Sequence, residues 1–210
     1  MTLQRRVIVG IDFDNTLAIY DELFTNLAVE FGYLQDASRR SKRDTRDTIR
    51  QLPDGEILWQ KLQAVAYGPR IGEARLAEGV GEFLARCKSS GTPVYVVSHK
   101  TERARYDDTG TNLREAALGW MAAQDLFRTG GVRPEHVFFS QTRPEKVEHI
   151  RRLGCTHFVD DLEETFAESS FPPDVAKILF VPSVPAHIPA GTRVATSWQQ
   201  VGEYVLDGRS

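Results

Sequence analysis

The chain is poor in the features that mark secreted, membrane or nucleic-acid-binding proteins. It has only two cysteines, Cys87 and Cys155, far apart and in no metal-ligand spacing. A disulfide framework or a zinc knuckle is therefore excluded. A reduced compartment is the simplest reading, with a single disulfide left as the alternative. No apolar run approaches the ~20 residues of a membrane span. The run behind MTLQRR is cut by Asp12 and is too short for a secretion signal, so a soluble, cytoplasmic protein is expected. There is no excess of positive charge either: 26 Lys and Arg stand against 29 Asp and Glu, a net charge of −3. A dedicated nucleic-acid binder is not expected. Internal repeats and low-complexity tracts are also missing.

What is present is enough apolar material for a real core, at 41% of 210 residues, and a repeating order of strand and helix patterns. Residues 7–11 (VIVGI) form a short β-branched run, the composition of a strand buried on both faces. Residues 93–97, 137–139, 156–159 and 177–181 read the same way. Helical spacing covers 20–33, 56–67, 80–88, 112–126, 144–153 and 198–205. Strand and helix in alternation predict an α/β fold with a doubly wound, Rossmann-like parallel sheet and right-handed crossovers. Residues 18–77 interrupt that order with helical, polar sequence. The expected division is therefore an α/β core of 1–17 and 78–210 with an all-helical insertion between. Residues 182–190, rich in proline, read as an exposed loop.

Chemistry-bearing residues gather at the ends of these strands, where ligands bind in an open α/β sheet. The first strand runs into Asp12 and Asp14, then Asn15 and Thr16. Two carboxylates so close repel each other and resist desolvation unless a cation or a shared proton intervenes. The second strand ends on Ser98, followed by His99 and Lys100. Lys146 falls in the first turn of a later helix, and the strand at 156–159 ends on Asp160 and Asp161.

In order and in placement, these clusters resemble the four motifs of the haloacid dehalogenase (HAD) superfamily, and the likeness spans nearly the whole chain. DFDNT matches DxDxT at every fixed position, VYVVSHK supplies the serine, RPEK the lysine and FVDD the acidic pair. The resemblance implies a Mg²⁺-dependent hydrolase of a small phosphate monoester, working through an aspartyl-phosphate. Asp12 would be the nucleophile and Asp14 the acid and base. Ser98 and Lys146 would hold the phosphoryl group. Asp12, Asp14 (through its carbonyl), Asp160 and Asp161 would bind the metal. Asn15, Thr16, Ser98, His99 and Lys100 are the candidate substrate contacts. The insertion would be the family's cap, which sets specificity. The acid at position 14 favours phosphoryl transfer over dehalogenation, because halide leaves unprotonated.

Each cluster also has a plainer reading. Asp12 and Asp14 fit a strand-end turn, Ser98 a strand terminus and Lys146 a surface position. Asp160 and Asp161, followed by Glu163 and Glu164, fit a solvated acidic helix start. One of His99 and Lys100 is expected to be structural. The basic run Arg39, Arg40, Lys42, Arg43, Arg46 and Arg50 reads as a solvated face, since Asp36, Asp44 and Asp47 are interleaved. Two other activities stay open: a phosphomutase of the same family, and a phospho-accepting signalling module resembling a response-regulator receiver.

Overall fold

The computed structural model describes residues 6–38, 40–128 and 130–208. In chain order the elements are β1 (Val9–Ile11), β2 (Ala18–Ile19), α1 (Asp21–Glu30), α2 (Lys42–Ile49), α3 (Gly55–Tyr67), β3 (Arg75–Leu76), α4 (Val80–Ser90) and β4 (Val94–His99). They continue with α5 (Leu113–Ala123), β5 (Val137–Ser140), α6 (Arg143–Arg152), β6 (His157–Asp160), α7 (Glu163–Phe166), β7 (Ala176–Phe180), β8 (Thr192–Ala195) and α8 (Trp198–Val205). The chain divides into two compact units, 6–17 with 76–100 and 124–208, and 18–75 with 101–123.

The first unit is built on a six-stranded sheet in the order β5-β4-β1-β6-β7-β8, parallel at every pairing. Renumbered within the sheet, that order is 3-2-1-4-5-6, the doubly wound arrangement expected from the alternation. It differs from the 2-1-3-4-5 order of receiver domains, so the receiver-like architecture does not hold. β1 lies at the centre, and all three of its residues are buried. Its apolar run is continuous because helices cover both faces of such a sheet. At Gly10 a side chain would meet the Phe158 ring at 2.5 Å and Cys155 Sγ at 3.0 Å, so only glycine lets β1 and β6 pack this closely. The order of strands reverses between β1 and β6, and the carboxyl ends of those two strands frame the crevice where such sheets bind ligands.

The second unit is helical: α1, α2, α3, a 3₁₀ turn at Ile71–Glu73, and α5. Its interior is aromatic. Phe24 stacks on Trp59 at 4.7 Å, Tyr20 meets Tyr67 edge-on at 5.0 Å, and the Trp120 indole donates to the Ala74 carbonyl at 3.0 Å. Residues 101–123 thus belong with the insertion rather than with the α/β core, which corrects the expected division. The periodicity of α5 gives its buried face but not the partner of that face. The charged segment also contains a helix, α2, whose start is fixed by reciprocal bonds between Ser41 and Asp44 and. Three basic residues of the segment have local acidic partners, Arg40 with Asp36, Arg46 with Asp47 and Arg50 with Glu56; Arg39 lies outside the described residues. Among the described residues no helix is long and apolar enough to cross a membrane.

Candidate active site

β1 delivers Asp12 to the carboxyl edge of the sheet, where its backbone N–H donates to the Val159 carbonyl at 2.9 Å. That bond ties the residue after β1 to the end of β6. Asp160 closes β6 and is fully buried, and Asp161 follows it. As a result, carboxylate oxygens of Asp12, Asp160 and Asp161 lie within 4.8 Å of one another. The acidic pair is not the solvated start of a helix. α7 begins two residues later, and Asp160 Oδ1 accepts from the Leu162 N–H at 3.0 Å, which fixes its carboxylate in the turn.

Lys146 enters from α6. Thr142 caps this helix, in a reciprocal arrangement with Glu145, and Pro144 sits in its first turn. The start of α6 is therefore rigidly defined, and Lys146 lies one turn inside it. Its ammonium donates to Asp12 Oδ1 at 2.6 Å and to Asp160 Oδ2 at 2.7 Å. With only 2% of the residue exposed, it is not a surface lysine. Burial works against its charge, but the two carboxylates outweigh burial and hold its pKa above the ordinary lysine value and. Asp12 moves the opposite way for an acid. Desolvation raises its pKa from 3.8 to about 6; Lys146 opposes the rise, while Asp160 and Asp14 add to it.

Asp14 belongs to a second pair. Lys100, buried at the end of β4, places its ammonium 2.9 Å from Asp14 Oδ2 and 3.2 Å from Oδ1, and 5.3 Å from the centre of the Phe13 ring. Asn15 takes a left-handed backbone, φ 56°, a conformation asparagine tolerates better than most residues. Its side-chain N–H donates to Asp161 Oδ2 at 3.0 Å. Thr16 is buried, and its hydroxyl has no hydrogen-bond partner among the described residues. Ser98 is buried on β4, in register with Phe139. His99 is exposed, and its Nε2 bonds the Gln141 carbonyl oxygen at 2.9 Å, so it serves the connection between β5 and α6 and joins none of these carboxylate contacts.

Four carboxylates thus converge with two ammonium groups, which leaves an excess of two negative charges in largely buried surroundings. Oxygen donors in such a cluster suit a hard divalent cation, and Mg²⁺ in particular is bound through a few carboxylates while keeping waters. Burial is the first cause of the raised Asp12 pKa, with Asp160 and Asp14 adding to it, and a cation among the carboxylates would offset both. The donor set therefore fits a divalent metal. The Lys100–Asp14 pair is the feature that sequence reasoning did not find. Its only signal was a lysine two residues past the serine motif, with no indication of which acid it would meet.

Fold and site together define a doubly wound α/β protein with an acidic cluster at its topological switch point. No protein-family model and no curated protein sequence matches the chain. Solved structures do match over almost its whole length. A HAD family hydrolase from Deinococcus radiodurans R1, with bound phosphate and sodium, superposes with a TM-score of 0.58 at 14% identity, covering 96% of each chain. A dehalogenase with an intermediate complex gives 0.58 at 14% identity, over 95% of this chain and 97% of the other. A phosphoserine phosphohydrolase-like protein from Francisella tularensis subsp. tularensis SCHU S4 gives 0.56 at 12% identity, over 95% of this chain and all of the other. The fold is that of the HAD-superfamily hydrolases.

Proposed function

We propose that the protein is a divalent-cation-dependent hydrolase of small phosphate monoesters. One observation carries this reading: Asp12, Asp160 and Asp161, from opposite ends of the chain, converge within 4.8 Å around a buried lysine. Lys146 helps keep Asp12 ionised, as a nucleophile requires. The Asp12 carboxylate attacks phosphorus in line; a bond from Asp12 to phosphorus forms as the ester oxygen–phosphorus bond breaks. Asp14, carrying the proton it took from water in the preceding hydrolysis, gives it to the departing oxygen. A water molecule then attacks phosphorus and passes a proton to Asp14 as the Asp12–phosphorus bond breaks, which frees the Asp12 carboxylate and inorganic phosphate. Ser98 and Lys146 hold phosphoryl oxygens as charge develops on them. Mg²⁺, held by Asp12, Asp160, Asp161 and the Asp14 carbonyl, would supply the charge that lets an anionic nucleophile approach a dianionic ester. The second, helical unit is assigned the choice of substrate.

Asp14 separates this reading from carbon–halogen cleavage, because a halide leaves without a proton whereas an alkoxide does not. The test is release of inorganic phosphate from a panel of phosphorylated sugars, nucleotides and amino acids, with and without chelator. Turnover of at least one ester, abolished by chelator and by Asp12→Asn, is expected. Turnover that survives Asp12→Asn overturns the assignment of the nucleophile.

A further inference from the structure

The two buried lysines of the site meet different carboxylates. Lys146 spans Asp12 and Asp160, while Lys100 meets Asp14 with both carboxylate oxygens in reach, at 2.9 and 3.2 Å. We infer that Lys100 is a positioning residue for the proton donor: it fixes the orientation of the Asp14 carboxylate and is not a phosphate-binding group. This inference rests on the proposed phosphatase reading.

Three features support it. Contact with both oxygens centres the Asp14 carboxylate on one ammonium, a point charge that holds the group in place. Lys100 is itself held at its base, because its backbone N–H donates to the Ser140 carbonyl at 3.0 Å, continuing the β4–β5 pairing one residue beyond the strands. The ammonium also lies 5.3 Å from the centre of the buried Phe13 ring, whose residue sits between the two acids in sequence. The Asp14 side chain is nonetheless 20% exposed, against 3% for Lys100. The carboxylate is thus held by a buried ammonium while part of its side chain stays accessible, as a group that exchanges protons with water and a bound ester requires.

A positioned proton donor matters in proportion to how poorly the alcohol leaves. Nitrophenolate departs without help, phenolate needs some and an alkoxide needs most. Kinetics of 4-nitrophenyl, phenyl and propyl phosphate with the wild type, Lys100→Met and Lys100→Arg therefore test the inference. Lys100→Met is expected to lower kcat on propyl phosphate by about 100-fold, the scale on which a misplaced catalytic group fails. The loss on 4-nitrophenyl phosphate should be several-fold smaller and KM nearly constant, with Lys100→Arg restoring much of the difference. Because Lys100→Met leaves Asp14 without its buried partner, the double variant Lys100→Met/Asp14→Asn, which removes both charges, is measured beside Asp14→Asn. The two should have the same leaving-group dependence. Equal losses on all three esters, or a KM that rises uniformly, overturn the inference and make Lys100 a phosphate contact. A further steepening in the double variant also overturns it. No turnover of any ester by the wild type overturns the phosphatase reading instead.

Discussion

Replacing Lys146 with methionine keeps the unbranched stem of the side chain and removes its charged end, so it tests what the ammonium does. Two short charge-assisted bonds, at 2.6 and 2.7 Å, would be lost, leaving Asp12 and Asp160 buried with their main neutralising charge gone. Breaking one side of a buried ion pair costs about 3–5 kcal/mol, because the remaining charge stays desolvated. For a domain of this size about 2–4 °C of Tm follows each kcal/mol, so thermal unfolding by circular dichroism at pH 7.5 in chelator should fall by roughly 10 °C. The loss should shrink as the pH drops below 6, because protonating the carboxylates removes the uncompensated charge. Adding Asp160→Asn should recover part of it, as should Mg²⁺. A Lys146→Met variant within about 0.5 kcal/mol of wild type, the range of ordinary surface substitutions, would refute the account of Lys146 as the charge that makes the acid cluster tolerable.

Asp12 and the cysteines supply further tests. The Asp12 pKa is raised from 3.8 to about 6 by burial, so its ionisation works against the folded state: its contribution is most favourable below pH 3.8 and is lost as the pH rises through 6. In chelator, Asp12→Asn should therefore gain stability relative to wild type as the pH rises from 4 to 7.5, offset in part by the lost bond to Lys146; urea unfolding across that range checks it. Cys87 and Cys155 are buried thiols, each pushed up to about 12 by desolvation, and so should be inert. A thiol reagent at pH 8 should titrate neither in the native protein and both after unfolding.

Much of the core was legible because its signals are local. The β-branched runs that became β1, β4, β6 and β7 are apolar on both faces, and their acids, serine and lysine fall at the ends where a parallel sheet binds ligands. β8 escaped notice: Thr192–Ala195 has one buried residue in four and lies at the edge of the sheet, so it lacks the continuous apolar run of a central strand. α2 was hidden by its charge, since only Thr45 and Ile49 are buried, although Ser41 and Asp44 at capping-box spacing were a usable sign. The placement of residues 101–123 with the helical unit could not be read, because an amphipathic pattern does not name its partner. Lys100 was visible as a candidate, but its pairing with Asp14 depends on where the end of β4 lies beside the turn after β1, a matter of tertiary register.

The central claim is that Asp12 takes up phosphorus. The direct test is to quench the enzyme in acid during turnover of an ester labelled at phosphorus, reduce the acyl phosphate with borohydride, and sequence the peptides by mass spectrometry. The account predicts conversion of Asp12 alone to homoserine, and none in Asp12→Asn. Sustained turnover with no modified aspartate, or with the modification on Asp14, Asp160 or Asp161, would contradict it.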